Sequence, residues 1–474
     1  MKIVAVDIGT SRIKAALFSP DGEMSMLVSK RLPRAASPDS QDAEEWYCCT
    51  CELLKKITEK EKPEGVVLTG NMHALLGVDK EGIPVENAVL WSDNSAIRES
   101  DMLNKKYGRD LLETFGNSSI PVFTLPKILK MKQERFSLYR KTEKFLQSKD
   151  FILYRLTGNA VTDPTDASGT LLMDRHTNSW SERFCTELDI DKRKLPDILP
   201  SASICGKITE KAAVETGLLC GTPVVTGCGD LSSAALGSGV NEETFSLTLG
   251  TAGQLLAAGK NNASKLAGRI FVFAHADPSL ELYLGSVPAG GFSFEYLANL
   301  HNITTEEFFI RAAAVSQTED LPIFLPYILG KGAPYMDYES NGAWFRLKGS
   351  HTLSHICRGA VFGTLAALYQ SCEILQTLGV PGNHLILQAL ACREKVVMDT
   401  ANALFPQKKY LPENSEASLL GAAITGFTAL DKAKTFSQYA EDMIKKSPVV
   451  PAQENECRTA EHLYELYCQY AQKV

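Results

Sequence analysis

A chain of 474 residues is longer than one ordinary hydrophobic core organises, so two large domains are the natural expectation. Apolar residues make up 44% and charged residues 22%, an ordinary globular balance, and a net charge of −7 offers no electrostatic footprint for nucleic acid or an anionic membrane. No apolar run reaches the roughly 18–20 residues that cross a bilayer, and residues 1–6 lead straight into a charged Asp7, unlike a signal peptide. The twelve cysteines are scattered apart from Cys48, Cys49 and Cys51, which follow Trp46 and Tyr47 in a helical pattern. With no second cluster at zinc spacing they read as reduced thiols, which makes the cytoplasm the expected location.

The first forty residues read as β structure. Residues 2–8 form a short apolar strand, Gly9, Thr10 and Ser11 a turn, and residues 13–18 a second strand. Helical periodicity follows over 42–59, with Trp46, Leu53, Leu54 and Ile57 on one side. Residues 65–68 read as a buried strand leading to Met72 and His73. From 98 to 150 the pattern is mostly helical, divided by Pro121 and Pro126. Residues 221–226 form another buried strand ending at Gly227, Cys228, Gly229 and Asp230, and 231–236 open a helix of small residues. Residues 245–256 then repeat the plan of the N-terminus: strand, Gly-Thr turn, strand. That echo suggests two similarly built domains facing each other, 1–240 and 241–474. Further on come a helical stretch at 351–379, a strand at 384–388, helices at 394–404 and 418–430, and amphipathic helices over the last forty residues.

Three places carry candidate chemistry. Asp7 ends a buried strand and precedes Gly9, Thr10 and Ser11, with Lys14 beyond. The glycine admits backbone N–H groups to phosphate oxygens, the hydroxyls add donors, and the carboxylate suits Mg²⁺. Taken alone this is also a hairpin with a polar turn, but Gly250 and Thr251 repeat it at the matching point of the second half. Asp230 lies where a strand gives way to a helix, a usual ligand position in α/β sheets. It suits a base that deprotonates an attacking hydroxyl, and it equally suits a helix N-cap. Met72 and His73 follow the strand at 65–68 and offer an apolar wall and a hydrogen-bonding ring to a polyol, while Trp91 and Asp93 suit a sugar platform and a hydroxyl acceptor. Either pair reads as structural just as readily. There is no G-x-x-x-x-G-K-[ST] loop and no G-x-G-x-x-G fingerprint, and His351 and His355 lack the glutamate of a zinc hydrolase.

In this order and at these spacings the segments resemble the FGGY family of carbohydrate kinases, and within it the xylulokinases, over nearly the whole chain. Residues 4–14 resemble the first phosphate segment, and Asn71-Met72-His73 and Leu90-Trp91-Ser92-Asp93 the sugar elements. Residues 123–127 fall on the first family signature, and 148–158 and 162–170 are xylulokinase-like. Residues 227–239 resemble the catalytic aspartate segment, and Leu249-Gly250-Thr251 the second phosphate segment.

The resemblance implies two actin-like (ribonuclease H-like) α/β domains, each a mixed β-sheet flanked by helices, with a cleft between them. It implies ATP and Mg²⁺ as cofactors and transfer of phosphate to a small sugar, D-xylulose first and gluconate or another ketose next. Asp230 would be the base and Asp7 the Mg²⁺ contact. Gly9, Thr10, Ser11, Lys14, Gly250, Thr251, Gln388, Ala389 and Gly421 would lie on the nucleotide. Met72, His73, Trp91, Asp93 and Asp230 would lie on the sugar. No nucleic acid or membrane partner is expected, and a homodimer is expected by analogy alone.

The departures fall mainly on the nucleotide side. Gln388-Ala389-Leu390-Ala391 stands where the family has Gly-Gly-Gly-Ala, Met398 and Asn402 replace Gln and Asp in the next helix, and Phe362 replaces a Glu. Lys130 replaces a Trp and Ser95 an Arg. Side chains at 388–390 would impede the backbone's approach to a nucleotide. Two expectations follow: a working kinase with a remodelled nucleotide seat, or an impaired relative that binds sugar as a sensor.

Overall fold

An unbroken apolar run such as residues 3–6 suits a strand covered on both faces. The computed structural model, which describes residues 1–33, 37–260, 262–316 and 320–474, supplies both covers. Ile3–Ile8 (β1) belongs to a six-stranded sheet with Arg12–Phe18 (β2), Met24–Arg31 (β3), Gly65–Gly70 (β4), Ile204–Lys207 (β5) and Pro223–Gly229 (β6). The order is β5-β6-β4-β1-β2-β3. β1 runs antiparallel to β2 and parallel to β4, which is itself parallel to β6. Val4, Val6 and Ile8 pack on one face with Trp46, Leu53, Leu54 and Ile57 of the helix Ala43–Thr58. Ile3 and Ala5 pack on the other with Leu420, Ile424 and Phe427 of the helix Ala417–Leu430. Each Ile, Leu or Phe so buried contributes about 1.5–3 kcal/mol.

The second sheet contains Thr244–Leu249 (β7), Gly253–Gly259 (β8), Phe271–Ala274 (β9), Glu281–Val287 (β10), His384–Ala389 (β11), Lys408–Pro412 (β12) and Lys446–Pro448 (β13). Its order is β9-β10-β8-β7-β11-β12-β13. β7 is antiparallel to β8 and parallel to β11, just as β1 is to β2 and β4. The echo read in the sequence is therefore a shared pairing plan. The helices Leu353–Thr377, Lys395–Leu404 and Glu454–Ala471 pack into the core of this sheet. The chain divides into a first unit of Met1–Gly239, Phe273–Glu281 and Glu416–Ile444, and a second of Val240–Val272, Leu282–Ser415 and Lys445–Val474. Each unit is a mixed sheet with helices, the expected α/β architecture.

Two local expectations need correction. Pro126 does not divide a helix: it is the third residue of Thr124–Glu134, where a backbone N–H has no helical partner to lose. The last forty residues are not all helical. The short strand β13 lies there, carrying three exposed residues with no apolar pattern to announce it. All twelve cysteines are free thiols, Cys49 and Cys51 buried. Among the described residues no helix is long and apolar enough to cross a membrane.

Candidate active site

The turn from β1 to β2 is closed by Gly9, whose N–H donates to the Arg12 carbonyl at 3.1 Å. A Cβ at Gly9 would stand 2.8 Å from that oxygen, which is too close for a side chain. The Thr10 carbonyl accepts from the Gln41 side-chain amide, and Gln41 Oε1 takes the Trp46 indole N–H at 2.7 Å. Thr10 Oγ1 accepts the indole N–H of Trp91 at 3.0 Å, so its own proton is left to donate. Trp91, expected on the sugar, thus has its polar edge on the Gly9–Thr10 turn. Ser11 is exposed, and its carbonyl accepts from Leu32 at 3.0 Å.

Asp7 stands opposite Lys14 in β2 and Thr69 in β4. The Lys14 ammonium reaches Glu416 Oε2 at 2.6 Å, a carboxylate partner the sequence did not suggest. Burial, with the Asp230 charge added, pushes the Asp7 carboxyl up to about 7, and Lys14 pulls against the shift.

Asp230 reaches its place through a kink. The parallel register between β6 and β4 slips between Val225 and Cys228. Gly227 sits in the slip at φ 73°, where a Cβ would lie 1.7 Å from the Leu68 carbonyl oxygen. Gly229 then caps the helix Asp230–Gly237, so Asp230 is its first residue and not its N-cap. Asp230 Oδ1 accepts the Leu231 N–H at 2.8 Å. Burial pushes its carboxyl up to about 6, opposed by the backbone N–H groups of Leu231, Met72 and Asp230 itself.

Met72 and His73 leave the end of β4, His73 in the left-handed region at φ 66°. His73 Nδ1 lies 2.8 Å from the Gly169 carbonyl. A carbonyl can only accept, so Nδ1 carries the proton and Nε2 is an acceptor. Phe123 and Phe273 stand 5.2 and 5.8 Å from the imidazole, and burial holds its pKa down at about 4, which keeps it neutral. Lys127 donates to the carbonyls of His73 at 3.0 Å and Leu90 at 2.6 Å, tying this segment to the one that carries Trp91 and Asp93. Burial lowers the Lys127 pKa to about 7. Asp93 Oδ1 closes a local turn by accepting from Ser95 N at 3.0 Å and Oγ at 2.6 Å.

A buried cluster lies in the segments 148–158 and 162–170, whose likeness to the xylulokinases is read in the sequence although no role was assigned to its residues. Lys149 Nζ stands 2.9 Å from Asp150 Oδ1, 3.1 Å from Asp163 Oδ1 and 3.1 Å from Asp166 Oδ2, and no side chain in the group is more than 1% exposed. Burial, relieved partly by Lys149, raises the Asp150 carboxyl and drives Asp166 well up. Apart from that likeness, the local signal is Asp163-Pro164, an N-cap followed by proline at the first helical position.

In the second unit, the Gly250 N–H donates to Ala252 at 3.0 Å, and the Gly250 carbonyl accepts from Gly291 at 2.7 Å. Leu249 pairs with Ala389 across β7 and β11, so the Gly-Thr turn and the altered 388–389 pair lie side by side. Gln388 Nε2 donates to Ser246 Oγ at 2.9 Å. Ala389 has φ 54° and ψ −127°, a conformation that favours glycine. Gly421 joins neither group. It serves helix packing, since a Cβ there would lie 1.8 Å from the Ser233 carbonyl of the Asp230–Gly237 helix.

Among the described residues no three His, Cys, Asp or Glu side chains are arranged to hold a metal ion. The Asp7–Asp230 pair still fits one: two neighbouring carboxyls, each raised by burial, are relieved by a divalent cation whose remaining ligands are phosphate and water.

Residues 2–237 match the N-terminal domain, and residues 246–430 the C-terminal domain, of the FGGY family of carbohydrate kinases. A xylulose kinase of Bacillus subtilis is 25% identical over 476 residues, covering 98% of this chain and 95% of that protein. A gluconokinase of the same organism is 25% identical over 465 residues, covering 93% and 90%. A ligand-bound xylulose kinase structure from Lactobacillus acidophilus superposes with a TM-score of 0.91 at 22% identity, covering 100% of this chain and 98% of that one. With both family domains matched in order, the chain belongs to the FGGY family of carbohydrate kinases and is a sugar kinase, which transfers a phosphoryl group.

Proposed function

We propose that this kinase transfers the γ-phosphoryl group of ATP to D-xylulose, giving D-xylulose 5-phosphate, with Asp230 as general base. The observation that carries the reading is Asp230 itself. Its carboxyl begins a helix beside Met72 and is raised to about 6, so at neutral pH it is ionised yet basic enough to take a hydroxyl proton. As Asp230 takes that proton, the sugar oxygen bonds to the γ-phosphorus and the bond to the β-γ bridging oxygen breaks, releasing ADP. Asp7 would hold Mg²⁺, which when bound offsets phosphate charge. Gly9, Thr10, Gly250 and Thr251 would give N–H and hydroxyl donors to phosphate oxygens.

A neutral sugar is favoured over gluconate by the surroundings of His73. The imidazole is held neutral and so offers a carboxylate no charge, and Lys127 spends two of its three donors on backbone carbonyls. His73 Nε2 is suited to accept from a sugar hydroxyl. The glycine-type backbone kept at Ala389 favours a working nucleotide seat over an impaired one. The test is a coupled assay with ATP-Mg²⁺ on one preparation, comparing D-xylulose with D-gluconate. The expected kcat/KM ratio is at least about tenfold in favour of D-xylulose. Preference for gluconate, or turnover of neither sugar, would overturn the reading.

A further inference from the structure

The residue before the proposed base is held by a side chain that is 0% exposed. Gly229 caps the helix of Asp230 but has no side chain with which to fix that cap. Its backbone N–H instead donates to Thr165 Oγ1 at 2.7 Å, a long-range hydrogen bond spanning 64 residues of sequence. The Thr165 hydroxyl donates in turn to Asp163 Oδ2 at 2.7 Å. That oxygen also receives Ser201 Oγ at 2.7 Å and the Thr165 N–H at 3.1 Å, while Oδ1 of the same carboxylate lies 3.1 Å from Lys149 Nζ. A hydroxyl that donates to an ion-paired carboxylate is polarised and becomes a better acceptor for the next N–H. Thr165, Asp163 and Lys149 are all 0% exposed, so solvent cannot replace a lost partner.

Upstream of this bond the chain has little freedom. The register slip at Gly227 lifts Cys228 and Gly229 back into pairing with Thr69 and Gly70. Downstream begins the helix whose first residue is Asp230. The Gly229 N–H is thus the last fixed point before the base.

We propose that Thr165 is the positioning residue of Asp230: its hydroxyl, anchored on the Lys149–Asp163 ion pair, fixes Gly229 and through it the place from which the carboxylate acts. The inference rests on the reading of Asp230 as base. Thr165 stands in the first unit on the short helix Pro164–Ser168, whose N-cap is Asp163, so one carboxylate both starts that helix and holds the hydroxyl.

Thr165→Val keeps the shape and removes the hydroxyl. A shift of about 1 Å in a reacting group costs about 100-fold in rate, so kcat is expected to fall about 10- to 100-fold. The sugar KM should move less than about 3-fold, because the deleted hydroxyl bonds the Gly229 backbone and Asp163, not the side chains of Met72 or His73. Thr165→Ser keeps the oxygen and should return kcat to within about 3-fold of the parent. Where Thr165→Val does not fold, Thr165→Cys replaces it, its weak acceptor predicting a kcat between the two. A kcat for the Val or Cys variant within about 3-fold of the parent, or an equal loss in the Ser variant, overturns the proposal. Asp230→Asn is measured alongside to separate the two readings. If Asp230→Asn turns over normally, the base assignment fails and this inference with it. If Asp230→Asn is inactive while Thr165→Val is not impaired, only the positioning role fails.

Discussion

The two hairpins that open the two sheets have one plan and different furnishings. In the first, Gly9 closes the turn and the parallel neighbour β4 ends at Gly70, opposite Ile8. In the second, Gly250 closes the turn and the parallel neighbour β11 ends at Ala389, opposite Leu249. Around the first stand Asp7, Lys14 and Glu416, and under Gly70 lies Ser148, whose Oγ a Cβ would meet at 2.7 Å. Around the second stand Gln388 and Ser246, joined by one neutral hydrogen bond. The backbone plan survives in both, while the Lys14–Glu416 ion pair stands at the first and a neutral hydrogen bond at the second. Charge handling and backbone geometry are therefore separable properties of this motif, and each can be attacked alone.

The largest effect belongs to the charged side. Asp230→Asn keeps the size and the helix start but removes the proposed base, and kcat is expected to fall by about 10²- to 10⁴-fold with sugar binding retained by calorimetry. Near-normal turnover would reduce Asp230 to a helix-start residue. The parent's kcat/KM for sugar should decline as pH falls through about 6, the point to which burial raises this carboxyl. Stability moves the opposite way. A folded-state value of about 6, against 3.8 ordinarily, means that the folded protein binds the proton more tightly than the unfolded chain. Stability is thus lost as pH rises from 3.8 through about 6, and the full loss is present at pH 8. Asp230→Asn should melt above the parent at pH 8, with the gain shrinking toward pH 4. A gain that does not change with pH would contradict the burial argument.

How much of this was legible in the sequence divides along the same line. β1, β4 and β6 announced themselves because strands covered on both faces must be apolar at nearly every position. The helix Ala43–Thr58 did so because Trp46, Leu53, Leu54 and Ile57 share one face. Asp7 and Asp230 were visible because one lies near the end of such a strand and the other directly after one, both close to glycines. Lys149, Asp163 and Thr165 fall in segments that resemble the xylulokinases, but their roles were not legible. They are as buried as leucines, and polar side chains that satisfy one another, Lys149 with Asp163 across 14 residues, leave no periodic trace. Lys127 falls on the first family signature, but its role was hidden: its partners are two backbone carbonyls, and carbonyls have no sequence. The two-sided register of Trp91, with its indole N–H on Thr10, also needed coordinates.

A smaller effect is expected from filling the glycine that ends β4. In Gly70→Ala the new Cβ would stand 2.7 Å from Ser148 Oγ and 3.2 Å from Lys149 N, and one of those contacts is backbone that cannot swing aside. Overpacking of this kind costs about 1–3 kcal/mol, read as a lower denaturant midpoint at unchanged slope. Because Ser148 Oγ also donates to the Asn71 carbonyl at 3.0 Å, the displacement should reach Met72 and raise the sugar KM. A variant as stable as the parent would mean that the first unit tolerates at 70 what the second tolerates at 389.

The reciprocal change is the subtlest. Ala389 occupies φ 54° and ψ −127°, where an L side chain crowds its own backbone and glycine does not. Held there, an alanine costs about 1–2 kcal/mol, whereas glycine brings an unfolded-state entropy penalty of about 0.5–1 kcal/mol. The strain is the larger of the two, so Ala389→Gly should stabilise the protein by up to about 1 kcal/mol, or roughly 2–4 °C in melting temperature. If the nucleotide seat is shaped by this backbone, removing the Cβ should also lower the KM for ATP while leaving the KM for sugar unchanged. Destabilisation would show that Ala389 is at ease in its conformation. A change in the sugar KM instead of the ATP KM would show that 388–389 does not belong to the nucleotide side. The sign of a single methyl group's effect thus decides whether the strand beside the second hairpin is strained at Ala389 or at ease there.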